Sequence, residues 1–600
     1  MLPFPNFDKI YIVDFEFIAR PSEKQQPVCV VSHEIKSGET KRVWLYGVQN
    51  PEIPYTFGKR DLFVGFFSSA EWHCHKALNW PMPQNVVDLY VEYRNETNHS
   101  GLVKVESGLL AACKAYGIET IDKEQKDFAR DKILQGAPYS ETDQEFIMKY
   151  CESDVLETAE LFRCMISTQE FELSSALFRG EYMKSVSEME FSGIPVDVDL
   201  LKQLQDNWDN IKLRLIKDID EFGVYEGTTF KTKIFENMVI NKGWSWPTTE
   251  KGNLKLDDDT FKEMVEVHPE LRPLKELRGL ISKLNIKTLP IGIDGRSRAM
   301  ISPFSTKTSR NAPKGESFRG GETKARFMFG LPACLRSLIK PEVGKVLAYI
   351  DYSQQEFFVA ATLSGDEAMK TAYKSGDPYL AFAKLAGAAP ENATKYSHAE
   401  VRKLFKSCVL GVQYGLGAES LGYKIEKPTP YARELLSHHK RVFKTYWKWV
   451  DNYWNQACLE KRVRTCYRWK MFVIGSSNKE MLTVRNFPIQ ATGAEILRVA
   501  CILLMEAGVK IIAPVHDAIM IECEIDGSDF EILKAKKIME DASEVVLGVG
   551  NRLKTDVDII QYPDRYIDEK GAETWEKIVT ILNEVSGPAS EVENYASCRE

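Results

Sequence analysis

Two carboxylates at the ends of apolar, strand-like runs place the strongest constraint on how this chain folds. Asp351 follows the run 345–350, and Asp517 lies between two apolar runs within 511–524. Buried carboxylates are costly unless a cation compensates them, and two divalent ions about 4 Å apart would do so. A single aspartate at a strand end is more often a cap or a turn residue, so the metal interpretation depends on the neighbouring residues.

The region 402–470 is basic and rich in aromatic residues, although the whole chain carries a net charge of −8. It contains 15 Lys and Arg against 5 Asp and Glu, which gives a local net charge of +10. Such a surface suits phosphate neutralisation and base stacking. A solvated helical face beside a core explains the same pattern equally well.

Acidic residues also recur near the N-terminus. Asp14 and Glu16 lie two residues apart in the strand-like run 10–17, so both side chains point to one face and can meet one metal pair. Tyr150 and Asp154 lie four residues apart in the helix-like stretch 142–162 and are neighbours on its surface. A Tyr/Asp pair at this spacing is usually only a surface feature.

Composition excludes several classes of protein. No apolar run approaches the ~20 residues that span a bilayer, and the twelve cysteines include no Cys-x-x-Cys pair. This pattern favours reduced thiols in a cytoplasm over disulfides or a zinc ribbon. The spacing of His73-Cys74-His75 is too tight for these side chains to share a tetrahedral zinc.

Read together, the C-terminal motifs resemble those of family A (DNA polymerase I-like) polymerases over about 175–575. Asp351-Tyr-Ser-Gln-Gln-Glu356 is similar to the first catalytic motif, Val515-His-Asp517 to the third, and the segment 402–415 to the fingers helix between them. The resemblance implies a DNA-directed DNA polymerase in which Asp351 and Asp517 bind two Mg²⁺, with Mn²⁺ as a substitute. The polymerase then extends a primer on template DNA with deoxynucleoside triphosphates.

The resemblance also assigns substrate-binding roles. In the fingers helix, Arg402 and Lys406 would hold the triphosphate, while Leu410 and Tyr414 would face the sugar and base. Their spacing of four residues puts them along one helical face. The other expected contacts to nucleotide, primer or minor groove are Gln354, Glu356 (which would exclude a 2′-hydroxyl), Arg310, Asn486, Gln490 and His516.

Two positions depart from the family pattern. Leu410 stands where the family usually has Phe or Tyr, so dideoxynucleotides are expected to be used poorly, since no ring hydroxyl replaces the missing 3′-OH. Ala518 stands where many members have a further carboxylate after the His-Asp pair. The two-metal site does not require that carboxylate, so at most a reduced rate is expected.

The N-terminal motifs resemble the tyrosine subtype of the DEDD 3′-5′ exonucleases. The resemblance implies that Asp14, Glu16 and Asp154 hold two metal ions and that Tyr150 orients the attacking water. For the remaining acidic ligand, Glu71 in Phe67-Ser-Ser-Ala-Glu71 falls at the family position and is favoured, while Asp88 is the competing candidate.

These patterns predict an α/β and α+β multidomain protein: a ribonuclease-H-like exonuclease domain followed by a right-hand polymerase. The expected domains are exonuclease 1–170, thumb 171–295, palm 296–360, fingers 361–479, and palm with C-terminal tail 480–600. A monomeric phage-type proofreading polymerase in the host cytoplasm is expected, without a membrane or a 5′-nuclease, and with replisome proteins as further candidate partners. A dedicated exonuclease with a DNA-binding C-terminal half and a non-catalytic replication scaffold are the alternatives.

Overall fold

A five-stranded mixed sheet organises the N-terminal part of the chain in the computed structural model, which describes residues 6–101, 106–120, 123–168, 170–283, 286, 289–313, 316–317, 324–413 and 415–586. Its strands are β1 (Lys9–Ile18), β2 (Gln26–Glu34), β3 (Glu39–Trp44), β4 (Asp61–Gly65) and β5 (Asn85–Asp88). The strand order is β3-β2-β1-β4-β5, antiparallel from β3 to β1 and parallel from β1 to β5. Alternate residues of β1 enter two different apolar cores, because successive side chains of a strand point to opposite faces.

Helices cover both faces of this sheet. They are α1 (Ser69–Ala77), α2 (Leu89–Thr97), α3 (Leu109–Ala115), α4 (Lys123–Gln135), α5 (Glu141–Ile166) and α6 (Leu173–Ser192). The longest of them, α5, begins at a capping box in which the Ser140 and Asp143 side chains each accept a hydrogen bond from the other residue's backbone N–H. Such reciprocal capping satisfies two N–H groups that a helix start leaves without partners.

A mostly helical segment follows. Its elements are β6 (Ile194–Pro195), α7 (Val198–Ile219), β7 (Tyr225–Glu226), β8 (Thr229–Phe230), α8 (Thr232–Asn241), α9 (Asp258–Val267), α10 (Arg272–Lys283), β9 (Arg296–Ser297), β10 (Glu316–Ser317) and β11 (Lys324–Ala325). The apolar side chains of α8, α9 and the chain around Trp246 form a separate small core. This core includes Phe235 and Phe261, which are both fully buried.

The C-terminal part is built on a second sheet of order β15-β16-β12-β17. Its elements are β12 (Lys345–Tyr352), α11 (Gln355–Ser364), α12 (Glu367–Lys374), α13 (Pro378–Leu385), α14 (Ala399–Gln413), α15 (Ala418–Lys424), α16 (Thr429–Val442), α17 (Lys444–Glu460), β13 (Arg462–Arg464), β14 (Lys470–Phe472), α18 (Asn478–Glu506), β15 (Ile511–Val515), β16 (Ala518–Glu524), α19 (Ser528–Leu547), β17 (Thr555–Gln561) and α20 (Ala572–Ser586). The predicted strand that ends at Asp351 is present as β12, which continues one residue further, to Tyr352.

The chain divides into two compact units, and the predicted α/β and α+β multidomain fold class is confirmed. The first unit holds Met1–Gly193, Met300–Lys314 and Val346–Ile559. The second holds Ile194–Ala299, Gly315–Lys345 and Ile560–Glu600.

The N-terminal domain and the second sheet's helices therefore belong to one unit, and a buried ion pair lies at their contact. Arg179 on α6 donates to both carboxylate oxygens of Glu92 on α2, at 2.7 and 2.6 Å, and also to the main-chain oxygen of Tyr467, at 2.9 Å. The ring of Tyr467 stacks on Phe178 with centroids 4.0 Å apart. The loop between β13 and β14 is thus fixed directly to the N-terminal domain.

One described helix, α18, is long and apolar enough to cross a membrane by length and composition. Its apolar window is 89% buried inside the protein, as in the central helix of a folded core. Many of its buried side chains, Ile496 and Ala500 among them, belong to the apolar core of the first unit.

Most aromatic residues of the basic region 402–470 pack in or against the core of the first unit. Tyr446 and Trp469 are buried, whereas Tyr423 and Tyr431 are exposed. The core explanation therefore accounts for most of the aromatic pattern, and base stacking on this region is limited to a few side chains.

Two candidate active sites

The first carboxylate pair lies where two adjacent strands of the second sheet meet a tight turn. Asp351 is in β12, and Asp517 is in the turn that joins β15 to β16, the neighbour of β12. His516 in this turn has a φ of 57°, a left-handed conformation that non-glycine residues adopt uncommonly. The turn thereby brings the Asp517 carboxylate beside that of Asp351.

The fold keeps the carboxylates of Asp351, Asp517 and Asp556 close together, although their negative charges repel one another. Burial, and then the charges of Asp517 and Asp556, raise the pKa of Asp351 to about 7. Burial also raises the pKa of Asp517, while the nearby Arg310 opposes that shift. Paired carboxylates with raised pKa values are frequent at functional sites, because the fold has placed charges where only a cation or a shared proton makes them stable.

Asp556 is a third carboxylate that sequence reasoning missed. It lies in β17, on the opposite side of β12 from β16, and accepts a hydrogen bond of 2.5 Å from the Ser353 hydroxyl. No motif surrounds it, so only the strand order brings it near Asp351. A sheet-topology prediction would have been needed to find it.

A cleft of about 310 Å³ opens beside these carboxylates. It is lined by Arg310, Gln354, Gln355, Glu356, Phe357, Tyr379, Leu410, His516 and Asp517. Six of these residues are among the predicted nucleotide or metal contacts, and the structure brings them together from four separate stretches of the chain. Tyr379 on α13 is an addition that no motif indicated.

An ion pair crosses the cleft at the expected sugar position. Arg310 Nη2 donates to Glu356 Oε1 at 2.7 Å. Gln354, two residues before Glu356, has a φ of 47°, and the chain turns sharply there between β12 and α11. The turn directs the acidic side chain into the cleft instead of along the strand.

The two cations of α14 approach the cleft from its Tyr379 side. The Arg402 guanidinium and the Lys406 ammonium lie 5.7 and 5.9 Å from the centre of the Tyr379 ring. Arg402 is ion-paired with Asp377, the N-cap residue of α13. Neither cation lines the cleft directly, and Tyr414, the last predicted residue of this face, lies outside the described residues.

The predicted minor-groove readers are on α18. Asn486 and Gln490 are partly exposed and four residues apart, so they share one helical face. They do not line the cleft. Arg485, which precedes them, pairs with Asp451 of α17 at 2.6 Å.

A second acidic site lies on the N-terminal sheet. Asp14 and Glu16 share one face of β1, and ligand atoms of Asp14, Glu16 and Cys151 of α5 all lie within 4.8 Å of one another. Burial, and then the charge of Asp154, raise the pKa of Asp14 to about 8. Burial, followed by the charge of Asp14, raises the pKa of Glu16 well above its usual range.

Helix α5 supplies the predicted tyrosine and the next carboxylate. The side chains of Tyr150 and Asp154 are neighbours on α5 and interact electrostatically, as the spacing of four residues predicts. Lys126 of α4 lies 2.5 Å from Asp154 Oδ1 and 3.1 Å from Glu157 Oε2. Sequence reasoning missed Lys126, because nothing in its local sequence marks it as part of a site.

The structure places the two candidates for the remaining acidic ligand differently. Glu71 on α1 is buried, its charge interacts with that of Asp14, and its Oε2 has no hydrogen-bond partner in the described part of the chain. Asp88 instead caps α2 and accepts hydrogen bonds from Phe67, Ser68 and Val91. Glu71 therefore has a free ligand atom facing the site, while the oxygens of Asp88 are already used.

Both sites offer clustered hard oxygen donors, which suit Mg²⁺ or Mn²⁺. The first adds a cleft with two cations of α14 behind the Tyr379 ring that lines it, an arrangement that a polyphosphate ligand could use if these side chains turn toward the cleft. The second adds a tyrosine hydroxyl and a lysine beside the carboxylates, a geometry for orienting a water molecule.

Comparisons with known proteins agree with the polymerase motifs. A family model described as DNA polymerase family A matches residues 199–559. DNA polymerase I of Aquifex aeolicus is 26% identical over 443 residues, 67% of this chain and 73% of that protein. Thermostable DNA polymerase I of Thermus thermophilus is 25% identical over 331 residues, 50% of this chain and 38% of that protein.

The fold has a close counterpart among solved structures. The POL domain of Pol1 from M. smegmatis, in complex with DNA primer-template and dNTP, superposes with a TM-score of 0.69 at 17% identity. The alignment covers 92% of this chain and 94% of that one.

Proposed function

This chain belongs to DNA polymerase family A, and on that premise we propose that it extends a primer 3′-end on a DNA template and proofreads the product with a 3′-5′ exonuclease. The observation that carries the polymerase assignment is the pair Asp351 and Asp517, held together in a partly buried site next to a cleft. A protein that only binds DNA has no use for such a costly pair.

In the proposed polymerase reaction, the carboxylates of Asp351 and Asp517 hold two Mg²⁺, for which Mn²⁺ can substitute. Metal ions at such a site activate the primer 3′-hydroxyl and neutralise charge on the leaving pyrophosphate. The donor set fits this role, because it consists of carboxylate oxygens, the ligands that Mg²⁺ prefers; burial raises the pKa of both aspartates, and neighbouring carboxylates add to the shift of Asp351.

The cleft residues position the substrates. Arg402 and Lys406 receive the triphosphate, which requires Arg402 to leave Asp377. Glu356, held by Arg310, lies under the sugar and excludes a 2′-hydroxyl. His516 contacts the primer terminus, and Asn486 and Gln490 read the minor-groove acceptors that all correct base pairs share.

The exonuclease reaction is assigned to Asp14, Glu16, Glu71 and Asp154 as metal ligands, with Tyr150 orienting the attacking water. Their support is the buried acidic cluster of the N-terminal sheet and the position of Tyr150 beside Asp154. A frayed 3′-end that reaches this cluster is hydrolysed, and a mismatched nucleotide is removed.

One assay separates this proposal from a dedicated exonuclease and from a non-catalytic scaffold. With a labelled primer-template, Mg²⁺ and deoxynucleotides, Asp351→Asn should reduce extension at least roughly 100-fold while sparing degradation. Asp14→Asn should do the reverse. Matched controls are Asp558→Asn, an exposed carboxylate of β17, and Glu160→Gln, an exposed carboxylate of α5.

The outcomes are distinct. Wild-type degradation without extension points to a dedicated exonuclease, and neither activity points to a scaffold. Normal extension by Asp351→Asn contradicts the polymerase site, and normal degradation by Asp14→Asn contradicts the exonuclease site.

The biological setting is part of the same proposal. We place the protein in the host cytoplasm as a monomeric phage replication polymerase that can contact replisome proteins. Free cysteines throughout the described residues agree with a reducing compartment. Sedimentation of the purified protein tests the monomer, and a dimer at micromolar concentration contradicts it.

A further inference from the structure

The proposed exonuclease reaction gives no role to Cys151, although it belongs to the acidic cluster of the N-terminal sheet. It directly follows Tyr150 on α5, and its Sγ lies 3.3 Å from the main-chain oxygen of Asp14 and 3.4 Å from Asp14 Oδ2. Its sulfur, with one oxygen each of Asp14 and Glu16, forms the group of potential ligand atoms within 4.8 Å.

These distances match the geometry of a thiophilic ion. In a tetrahedral zinc site the Zn–S bond is about 2.3 Å and the Zn–O bond about 2.0 Å, which places sulfur and oxygen about 3.5 Å apart. The Cys151 Sγ to Asp14 Oδ2 distance of 3.4 Å needs almost no rearrangement to meet this requirement.

A second observation points to a cation at the same place. Glu71 is 3% exposed, one of its oxygens accepts a hydrogen bond from the Phe15 backbone, and its Oε2 has no partner in the described part of the chain. Buried carboxylate oxygens are almost always paired or metal-bound. The nearby Lys126 does not fill this role, since it pairs with Asp154 and Glu157.

We propose that Asp14, Glu16 and Cys151, with Glu71 as a fourth donor, form a site for a thiophilic divalent cation such as Zn²⁺ or Cd²⁺. On binding, the Cys151 thiol releases its proton to bulk water and the sulfur–metal bond replaces its hydrogen bond to Asp14. Magnesium does not gain from a sulfur ligand, whereas zinc and cadmium do. The bound ion therefore displaces Mg²⁺ from Asp14 and Glu16 and blocks the exonuclease.

The inference uses the acidic cluster assigned to the exonuclease, but its test needs neither DNA nor turnover. Cd²⁺ is titrated into the full-length protein, and the sulfur-to-cadmium charge-transfer band in the ultraviolet reports ligation by a cysteine. Beyond any signal from accessible thiols such as Cys466, wild-type protein should give a saturable band component that excess Mg²⁺ weakens. Cys151→Ser should abolish this Mg²⁺-sensitive component and lower its Cd²⁺ affinity by at least roughly 10–100-fold, whereas Cys466→Ser should leave it in place.

Two further variants keep the result interpretable. Cys501→Ala removes another fully buried cysteine, on α18, and should leave the band unchanged. Glu16→Gln keeps the thiol but removes one oxygen ligand, so the band should remain and saturate at a higher Cd²⁺ concentration. An identical Cd²⁺ titration for wild type and Cys151→Ser, or no effect of Glu16→Gln, overturns the inference.

A protein that binds Cd²⁺ as described but degrades no primer refutes the exonuclease and leaves the cation site standing. The converse result, degradation that Zn²⁺ inhibits equally in wild type and Cys151→Ser, refutes only the cation site.

Discussion

Asp351 illustrates how a single residue can oppose the stability of its own fold. Its ordinary pKa is 3.8, and in the folded protein it is about 7. Between these values the folded state binds more protons than the unfolded state, so stability falls as pH rises through this window. The destabilisation is complete above about pH 7 and absent well below pH 4.

Asp351→Asn should therefore stabilise the metal-free protein at pH 8. We expect the melting temperature of the first unit to rise by a few degrees in a chelator at pH 8, with most of the difference lost by pH 4. Differential scanning calorimetry at both pH values measures this, with Asp558→Asn as control. A variant that is less stable than wild type at pH 8 contradicts the electrostatic account.

Leu410 lines the same cleft as Glu356, and its own side chain carries no hydroxyl. Dideoxynucleotides should consequently be disfavoured relative to deoxynucleotides by on the order of 100-fold or more, because nothing replaces the missing 3′-OH. Competition between the two substrates on one primer-template measures the ratio. Efficient termination by the wild-type protein is the contrary result, and Leu410→Tyr should narrow the discrimination.

Sequence motifs identified those candidate site residues that lie within a motif. The other residues at the two sites are brought there only by tertiary contacts. The spacing of Asp14 and Glu16, or of Tyr150 and Asp154, is fixed by strand or helix geometry and can be read directly. Asp556, Tyr379 and Lys126 reach their sites only through strand order and helix packing. Their local sequences carry no signal, so a single chain without its fold does not reveal them.

At the scale of elements, the contact between α11 and α18 sets the shape of the cleft. Gly493 on α18 faces the side chain of Gln355, the first residue of α11, and a Cβ at this glycine would lie 2.3 Å from Gln355 Oε1. The absent side chain allows the start of α11, with Gln354 and Glu356, to reach the cleft. Periodicity predicted strands and helices such as β1 and α5 well, but it does not report which helices touch.

Gly493→Ala should destabilise the first unit by about 1–3 kcal/mol through overpacking and should raise KM for deoxynucleotides. Gly279→Ala is a matched control on α10, where a Cβ meets nothing within 4 Å. There the gain in helix propensity should leave stability equal or slightly higher. A Gly493→Ala variant with the melting temperature and KM of wild type shows that the Gln355 amide moves aside without cost, and contradicts the role assigned to this contact.

At the scale of the whole molecule, both proposed sites belong to one compact unit. The Arg179–Glu92 pair and the hydrogen bond from Arg179 to Tyr467 join the N-terminal domain to the loop between β13 and β14. The N-terminal and C-terminal sheets are therefore expected to unfold together in one cooperative transition. The sequence predicted separate domains but gave no indication of this coupling, since its residues are almost 300 positions apart.

Arg179→Ala leaves Glu92 buried without its partner and should cost roughly 3–5 kcal/mol. We expect the shared transition to move to lower temperature, with primer extension and primer degradation lost in parallel on heating. Arg163→Ala, which removes an exposed pair with Glu160, should change stability by less than about 1 kcal/mol. Separate transitions for the two sheets in the wild-type protein count against a single cooperative unit.

The charge of Lys126 makes the two sides of the N-terminal acidic site electrostatically different. Its ammonium already occupies the space around Asp154, whereas the Glu71 side of the cluster has no such resident cation among the described residues. An incoming divalent ion thus meets an internal competitor on one side only. The two ions should load in sequence, the Glu71 side first, and removal of the lysine charge should make their affinities converge.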